Sequence, residues 1–166
     1  MAEPQHHLLR RARSLLPVLV LGLVSLHART GAAQERWVQR GPEGGEIRSL
    51  AIDPQTSTTV YVGTAGGGVF RSLDGGASWA AMNVGLTDAS VPVLAIDPQT
   101  TSTVYAGTAQ SGVFRSTDGG ATWVHTGLSS VSVASLAIHP QTASSIYAGT
   151  TTGDQFAPLS ALRNTP

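Results

Sequence analysis

From Ile47 to Thr150 the chain alternates short apolar, β-rich runs with polar breaks bounded by Gly, Pro and Asp. Val93-Leu94-Ala95-Ile96 is one such run, and it stops at Asp97-Pro98, where the ring fixes φ and removes a ladder donor. Thr103–Thr108 reads as a second strand and Gly112–Ser116 as a third, with Val113 and Arg115 on one face and Phe114 on the other. Asp118-Gly119-Gly120 predicts a tight turn, because consecutive glycines supply the positive φ that short hairpins require. Thr122-Trp123-Val124 then opens a fourth strand. Helical periodicity is absent from this stretch.

The unit is repeated. Leu50-Ala51-Ile52-Asp53-Pro54-Gln55-Thr56 returns as Leu94–Thr100 and, with His139 in place of Asp, as Leu136–Thr142. Val60-Tyr61-Val62-Gly63-Thr64 returns as Val104–Thr108 and Ile146–Thr150, and Gly68–Ser72 returns as Gly112–Ser116. Four short antiparallel strands at a period of roughly 40–45 residues predict an all-β fold of propeller blades. The expected units are blade 1 over 47–84, blade 2 over 91–128 and a partial blade 3 over 133–156. Residues 34–40 are expected to form the closing strand of an incomplete blade, since Trp37 and Gly41 repeat the spacing of Trp123 and Gly127. Tyr147 and Phe156 are placed in register with Tyr105 and Phe114, after which the pattern is lost and 157–166 reads as an irregular tail. Closed propellers use about 4–8 blades. About two and a half blades predict either a truncated piece of a longer propeller or a protomer that self-associates to cover its open blade edges.

Two stretches carry a family resemblance. Ser72-Leu73-Asp74-Gly75-Gly76-Ala77-Ser78-Trp79 and Ser116-Thr117-Asp118-Gly119-Gly120-Ala121-Thr122-Trp123 both fit S-x-D-x-G-x-[ST]-W. This resembles the Asp box of BNR-repeat β-propellers. The surrounding repeats, over roughly residues 36–156, resemble photosystem II assembly-factor-like secreted proteins, the Vps10/sortilin type and xyloglucan-cleaving glycosidases. The box specifies fold far more than function. Its structural residues are Ser72, Asp74, Gly76, Ser78 and Trp79 in the first copy, and Ser116, Asp118, Gly120, Thr122 and Trp123 in the second. The aspartates are expected to accept hydrogen bonds from turn N–H groups and neighbouring hydroxyls, and the tryptophans to bury their rings between sheets.

The N-terminus has a different character. Arg10, Arg11 and Arg13 precede an apolar run from Leu15 to Leu26, and small residues follow at Gly31-Ala32-Ala33. Residues 1–33 therefore read as a helical secretory signal peptide cleaved after Ala33, with a secreted or periplasmic destination. The run is shorter than the ~20 residues a spanning helix needs, so no stable membrane span is expected after cleavage.

Composition narrows the chemistry. The formal net charge is +0, which argues against a nucleic-acid partner. There is no Cys, and all ten basic residues are Arg, which excludes thiolate zinc sites, thiol nucleophiles, Schiff bases and phosphate-loop lysines. No cofactor and no metal is expected: each DGG turn offers one carboxylate where calcium takes several oxygens, and His125 and His139 lack ligand spacing. Glycosidases generally place two carboxylates about 5–9.5 Å apart across the bond. In the xyloglucan-cleaving family, the resemblance implies, a catalytic Asp follows the second strand of an early blade. Here that position is Ala65, Ala109 or Thr151. Asp53 and Asp97 are turn residues, Glu43 and Glu46 lie in a Gly-rich inter-blade loop, and Arg71 and Arg115 are equivalent strand positions expected to pair with a carbonyl or carboxylate. No catalytic residue is assigned. The expected role is structural, or binding of a protein or glycan through loops such as Thr64–Gly68 and Thr108–Gly112; the alternative is a glycosidase-type propeller whose catalytic blades lie outside this chain.

Overall fold

The computed structural model describes residues 39–43, 45–142 and 145–151, and the backbone of 157–158. The signal-peptide segment 1–33 and most of the proposed closing strand 34–40 lie outside the described residues; Gln39 and Arg40 are described and are not in a strand.

Three antiparallel sheets follow one another along the chain. The first contains β1 (Ile47–Ile52), β2 (Val60–Thr64), β3 (Val69–Ser72) and β4 (Ala80–Ala81) in that spatial order. The second repeats it with β5 (Val93–Ile96), β6 (Val104–Gly107), β7 (Val113–Ser116) and β8 (Val124–His125). The third contains β9 (Val133–Ile138), β10 (Ile146–Thr150) and β11 (Ala157–Pro158). The described residues contain no helix. Each sheet is a meander because its connections are short turns of Gly, Asp and Pro, which leave neighbouring strands no choice but to pair.

The third sheet corrects two expectations. Its third strand lies at Ala157–Pro158, inside the stretch read as an irregular tail. Ala157 pairs with Ala148 as Phe114 pairs with Ala106, so the register differs by one residue from that placing Phe156 opposite Phe114. Ladder pairing is a backbone property, and it overrides the aromatic match on which the sequence alignment rested.

We call the face of a sheet on the N-terminal side of the series its leading face and the opposite one its trailing face; the middle sheet has a neighbour on both. Between the first two sheets, Tyr61 and Val69 from the trailing face meet Leu94, Val104, Ala106, Phe114 and Trp123 from the leading face. Between the second and third, Tyr105 and Val113 meet Val133, Ile146 and Ala148. The period-two alternation thus serves two cores at once, one per face. Val113 is fully buried in one and Phe114 nearly so in the other.

Glycine sets the closeness of these interfaces. A Cβ at Gly107 would lie 2.5 Å from Cγ1 of Val93 and 2.7 Å from Cγ1 of Val133. Gly63 stands in the same relation to Val91, 2.8 Å from its Cγ1. Val91 and Val133 are fully buried knobs seated on these glycines. Accordingly, Gly107→Ala is expected to cost about 1–3 kcal/mol in urea unfolding through overpacking. Gly66→Ala is expected to stay within about 0.5 kcal/mol, since a Cβ there meets nothing within 4 Å.

Candidate functional site

The two aspartate turns are built alike, atom for atom. In the first, the Ser72 hydroxyl donates to Asp74 Oδ1 at 2.8 Å and accepts from the Gly76 N–H at 2.7 Å. The Ser78 N–H donates to Asp74 Oδ1 at 2.8 Å and its hydroxyl donates to Oδ2 at 2.6 Å. In the second, Ser116, Asp118, Gly120 and Thr122 repeat the set at 2.7, 2.8, 2.9 and 2.6 Å. The glycines adopt the left-handed φ the turn demands: 69° and 90° at Gly75 and Gly76, 70° and 89° at Gly119 and Gly120. Both carboxyls are held down to about 2 from the ordinary 3.8, chiefly by the Ser78 or Thr122 hydroxyl, then by that residue's N–H and by Ser72 or Ser116. With every donor internal to the loop, each carboxylate is committed to the turn.

The turns tie successive sheets together. Trp123 Nε1 donates to the Met82 carbonyl of the first sheet at 2.7 Å, and Trp79 Nε1 donates to the Arg40 carbonyl. Tyr61 Oη and Arg71 Nη1 both donate to the Gly119 carbonyl, at 3.1 and 2.8 Å. Burial pushes the Tyr61 phenol above its usual value, and the Arg71 guanidinium beside it partly opposes that. The expected carbonyl partner is therefore present for Arg71. Arg115 is exposed and lies over the Tyr105 ring, 5.9 Å from its centroid. The expectation that both tryptophans are buried holds for Trp123, 4% exposed, but Trp79 is only half-buried, because no sheet among the described residues covers its face.

The connections between second and third strands lie at one end of the sheets. Thr64 Oγ1 donates to the Gly68 carbonyl at 3.0 Å and accepts the Gly67 N–H at 2.9 Å. Thr108, Gly112 and Ser111 repeat this at 2.9 and 3.0 Å. Neighbouring loops then brace one another. The Gly68 N–H donates to the Ala89 carbonyl and the Gly112 N–H to that of Val131, at 2.8 and 3.1 Å. Asn83 reaches the first loop from the strand end, accepting the Val69 N–H at 2.8 Å and donating to the Gly67 carbonyl at 2.9 Å. Asp88 accepts the Ser90 N–H on Oδ1 at 3.0 Å and the Gln110 N–H on Oδ2 at 2.8 Å. Each of its oxygens thus positions one backbone N–H. Sequence reasoning did not single out Asn83 or Asp88, since neither falls in a repeated motif. Their signal was an amide or carboxylate beside a Gly-containing loop, which becomes legible only once the partner loop is known.

The other candidate residues are placed as follows. Asp53 Oδ1 accepts the N–H groups of Gln55 and Thr56, Asp97 those of Gln99 and Thr100, and in the third unit His139 Nδ1 takes the same role toward Gln141 and Thr142. His125 Nδ1 accepts the Gly127 N–H, its Nε2 bonds the Ser111 carbonyl, and its ring meets Phe114 edge-on. Glu46 pairs with Arg48 at 3.1 Å on the surface. Ala65, Ala109 and Thr151 follow the second strand of their sheets, as the sequence placed them. Among the described residues, no group of three or more His, Asp or Glu could hold a metal ion.

No protein-family model and no curated protein matches the sequence. Several solved structures do. An ancestral GH74 enzyme matches with a TM-score of 0.60 at 27% identity, over 64% of this chain and 14% of that one. The GH74 xyloglucanase from Xanthomonas campestris matches at 0.52 and 22%, over 64% and 18%. YCF48 from Cyanidioschyzon merolae matches at 0.51 and 19%, over 74% and 39%. The chain thus spans between 14% and 39% of the length of these three proteins. With its successive antiparallel sheets, it is a partial all-β propeller and each sheet is a blade.

The depressed carboxyls give a signed pH dependence. Unfolding releases Asp74 and Asp118 to their ordinary affinity, so the unfolded chain takes up protons first as pH falls. Their contribution is complete above about pH 4 and is lost as pH drops toward 2. Chemical denaturation at stepped pH is expected to show this loss of stability, and Asp118→Asn to flatten it while lowering the thermal midpoint at neutral pH.

Proposed function

We propose that the chain is an exported, non-catalytic propeller repeat protein, built on the Asp-box pattern, whose braced inter-strand loops present a rigid edge to a protein or glycan. The signal-like segment 1–33 supports the export part of this reading. The observation that carries the rest is the state of the loop edge. The position after each second strand holds Ala65, Ala109 or Thr151, and Asp88, which ties the connection before the second sheet to the loop after Thr108, accepts a backbone N–H on each of its oxygens. Cleavage of a glycosidic bond generally needs two carboxyl groups flanking it, one to protonate the leaving oxygen and one to act as base or nucleophile. Rigid loops on a scaffold of strands are instead well made for binding, because little conformational freedom is lost when a ligand docks.

A second reading has its own support. A GH74 enzyme matches at 27% identity over 64% of the chain, and 14% of that enzyme is covered. Under it, these blades are the non-catalytic part of a glycoside hydrolase whose acids stand on other blades.

Two assays on the purified chain separate the readings. Incubation with xyloglucan and with a sialylated substrate is expected to release no reducing sugar or sialic acid above the blank, and measurable turnover would overturn the non-catalytic role. Affinity electrophoresis through polysaccharide gels, with a pull-down from the periplasmic or secreted fraction, is expected to show retention that Ser111→Trp on the loop edge abolishes. Retention unaffected by that change would move the binding surface elsewhere.

A further inference from the structure

The leading face of the first sheet is uncovered where its equivalents are buried. Leu50 is 60% exposed, whereas Leu94, at the same place in the second unit, is 8% exposed. Ile47 is 44% exposed and its equivalents Val91 and Val133 are 0%. Val62, flanked in register by Leu50 and Phe70, is itself buried, so the opening is concentrated along the innermost strand. It continues outward into a groove of about 530 Å³ between residues 39–43 and the side chains of Phe70 and Trp79.

The chain carries the complement of this face at its other end. In the first interface, Ser49 Oγ donates to the Val91 carbonyl at 3.1 Å, Gln55 Nε2 to the Pro98 carbonyl at 3.2 Å, and Gly63 leaves room for the Val91 side chain. The trailing face of the third sheet repeats these residues as Ser135, Gln141 and Gly149, with Ala137 and Tyr147 standing for Ala51 and Tyr61. The middle unit keeps the glutamine contact, Gln99 Nε2 to Pro140 at 2.9 Å, but has Val93 in place of the serine. Gly149 meets only its own sheet's Ser135 among the described residues, so none of these supplies its knob. Ile47 is a knob that lies beside Gly41 and has no second-strand glycine of a preceding sheet among the described residues. Arg40, which accepts from Trp79 as Met82 does from Trp123, already occupies the place where the fourth strand of a covering sheet ends. The third sheet has three described strands and would lie inside that position.

We propose that the third sheet of one copy packs on the first sheet of the next, so that copies of this chain associate head to tail through a repeat of their own internal interface. Ile47 then seats on Gly149 of the neighbouring copy, Gln141 donates to the Pro54 carbonyl, and Leu50 and Ile52 are covered. Such a contact is heterologous: it builds a ring if the rotation per copy closes and a fibre if it does not.

Sedimentation velocity of the full chain from low to high micromolar concentration is expected to show species heavier than the monomer. Leu50→Arg, on the leading face, and Ala137→Arg, on the trailing face, each exchange an exposed small or apolar residue for a charge; each is expected to lower the association constant roughly tenfold or more. Because each variant keeps one good face, their equimolar mixture is expected to give a heterodimer. A wild-type chain that stays monomeric throughout, association untouched by either variant, or a mixture that remains monomeric would each overturn the proposal. Far-UV circular dichroism checks that both variants keep the wild-type spectrum. Independently, Pro54→Cys with Gln141→Cys in one chain, otherwise free of cysteine, is expected to give a covalent ladder on a denaturing gel with a short bis-maleimide. Cross-linking confined to the monomer would overturn the proposal as firmly.

Discussion

A four-stranded meander of two- to six-residue strands buries too little on its own, and everything else in this molecule depends on how one sheet sits on the next. The sheets approach closely because a valine just before or at the start of each inner strand rests on a glycine in the second strand of the sheet before it, Val91 on Gly63 and Val133 on Gly107. Around that contact, polar side chains cross the interface to backbone carbonyls: Ser49 to Val91, Gln55 to Pro98, Tyr61 and Arg71 to Gly119, Trp123 to Met82. The apolar contact supplies the driving force, and the hydrogen bonds fix the register because an unpaired buried donor is costly.

The aspartate turn matters for the same reason. Its hydrogen bonds are local, running among residues four or fewer apart in sequence. Its product is tertiary. By closing the loop around Asp118, it holds the Gly119 carbonyl where Tyr61 and Arg71 of the preceding sheet reach it, and directs Trp123 onto that sheet. A charged acceptor saturated by short donors makes a stiff turn, and a stiff turn makes a reproducible joint between blades.

At the loop end, the same economy of polar groups shapes what the edge can do. Thr64 and Thr108 close their loops with one hydroxyl each, and Asn83 and Asp88 brace them from neighbouring connections. A surface of this kind offers shape and fixed backbone groups.

The repeat, the strands, the turn residues and the alternation of faces were all readable from the sequence, because each rests on local chemistry: proline ends a strand, glycine permits a turn, and side chains alternate at period two. The acceptor roles of Asp74 and Asp118 and the turn positions of Asp53 and Asp97 were readable too, since the partners lie within a few residues. Burial was not. Leu50 and Leu94 stand in the same seven-residue string, as Trp79 and Trp123 stand in the same motif, yet Leu94 and Trp123 are buried while Leu50 is exposed and Trp79 half-buried. Nor was the register of the last strand, where ladder pairing chose Ala157 over Phe156. Those outcomes depend on which sheet lies against which face, and a neighbour distant in the chain leaves no mark on the residues it covers. Tertiary structure alone decided them.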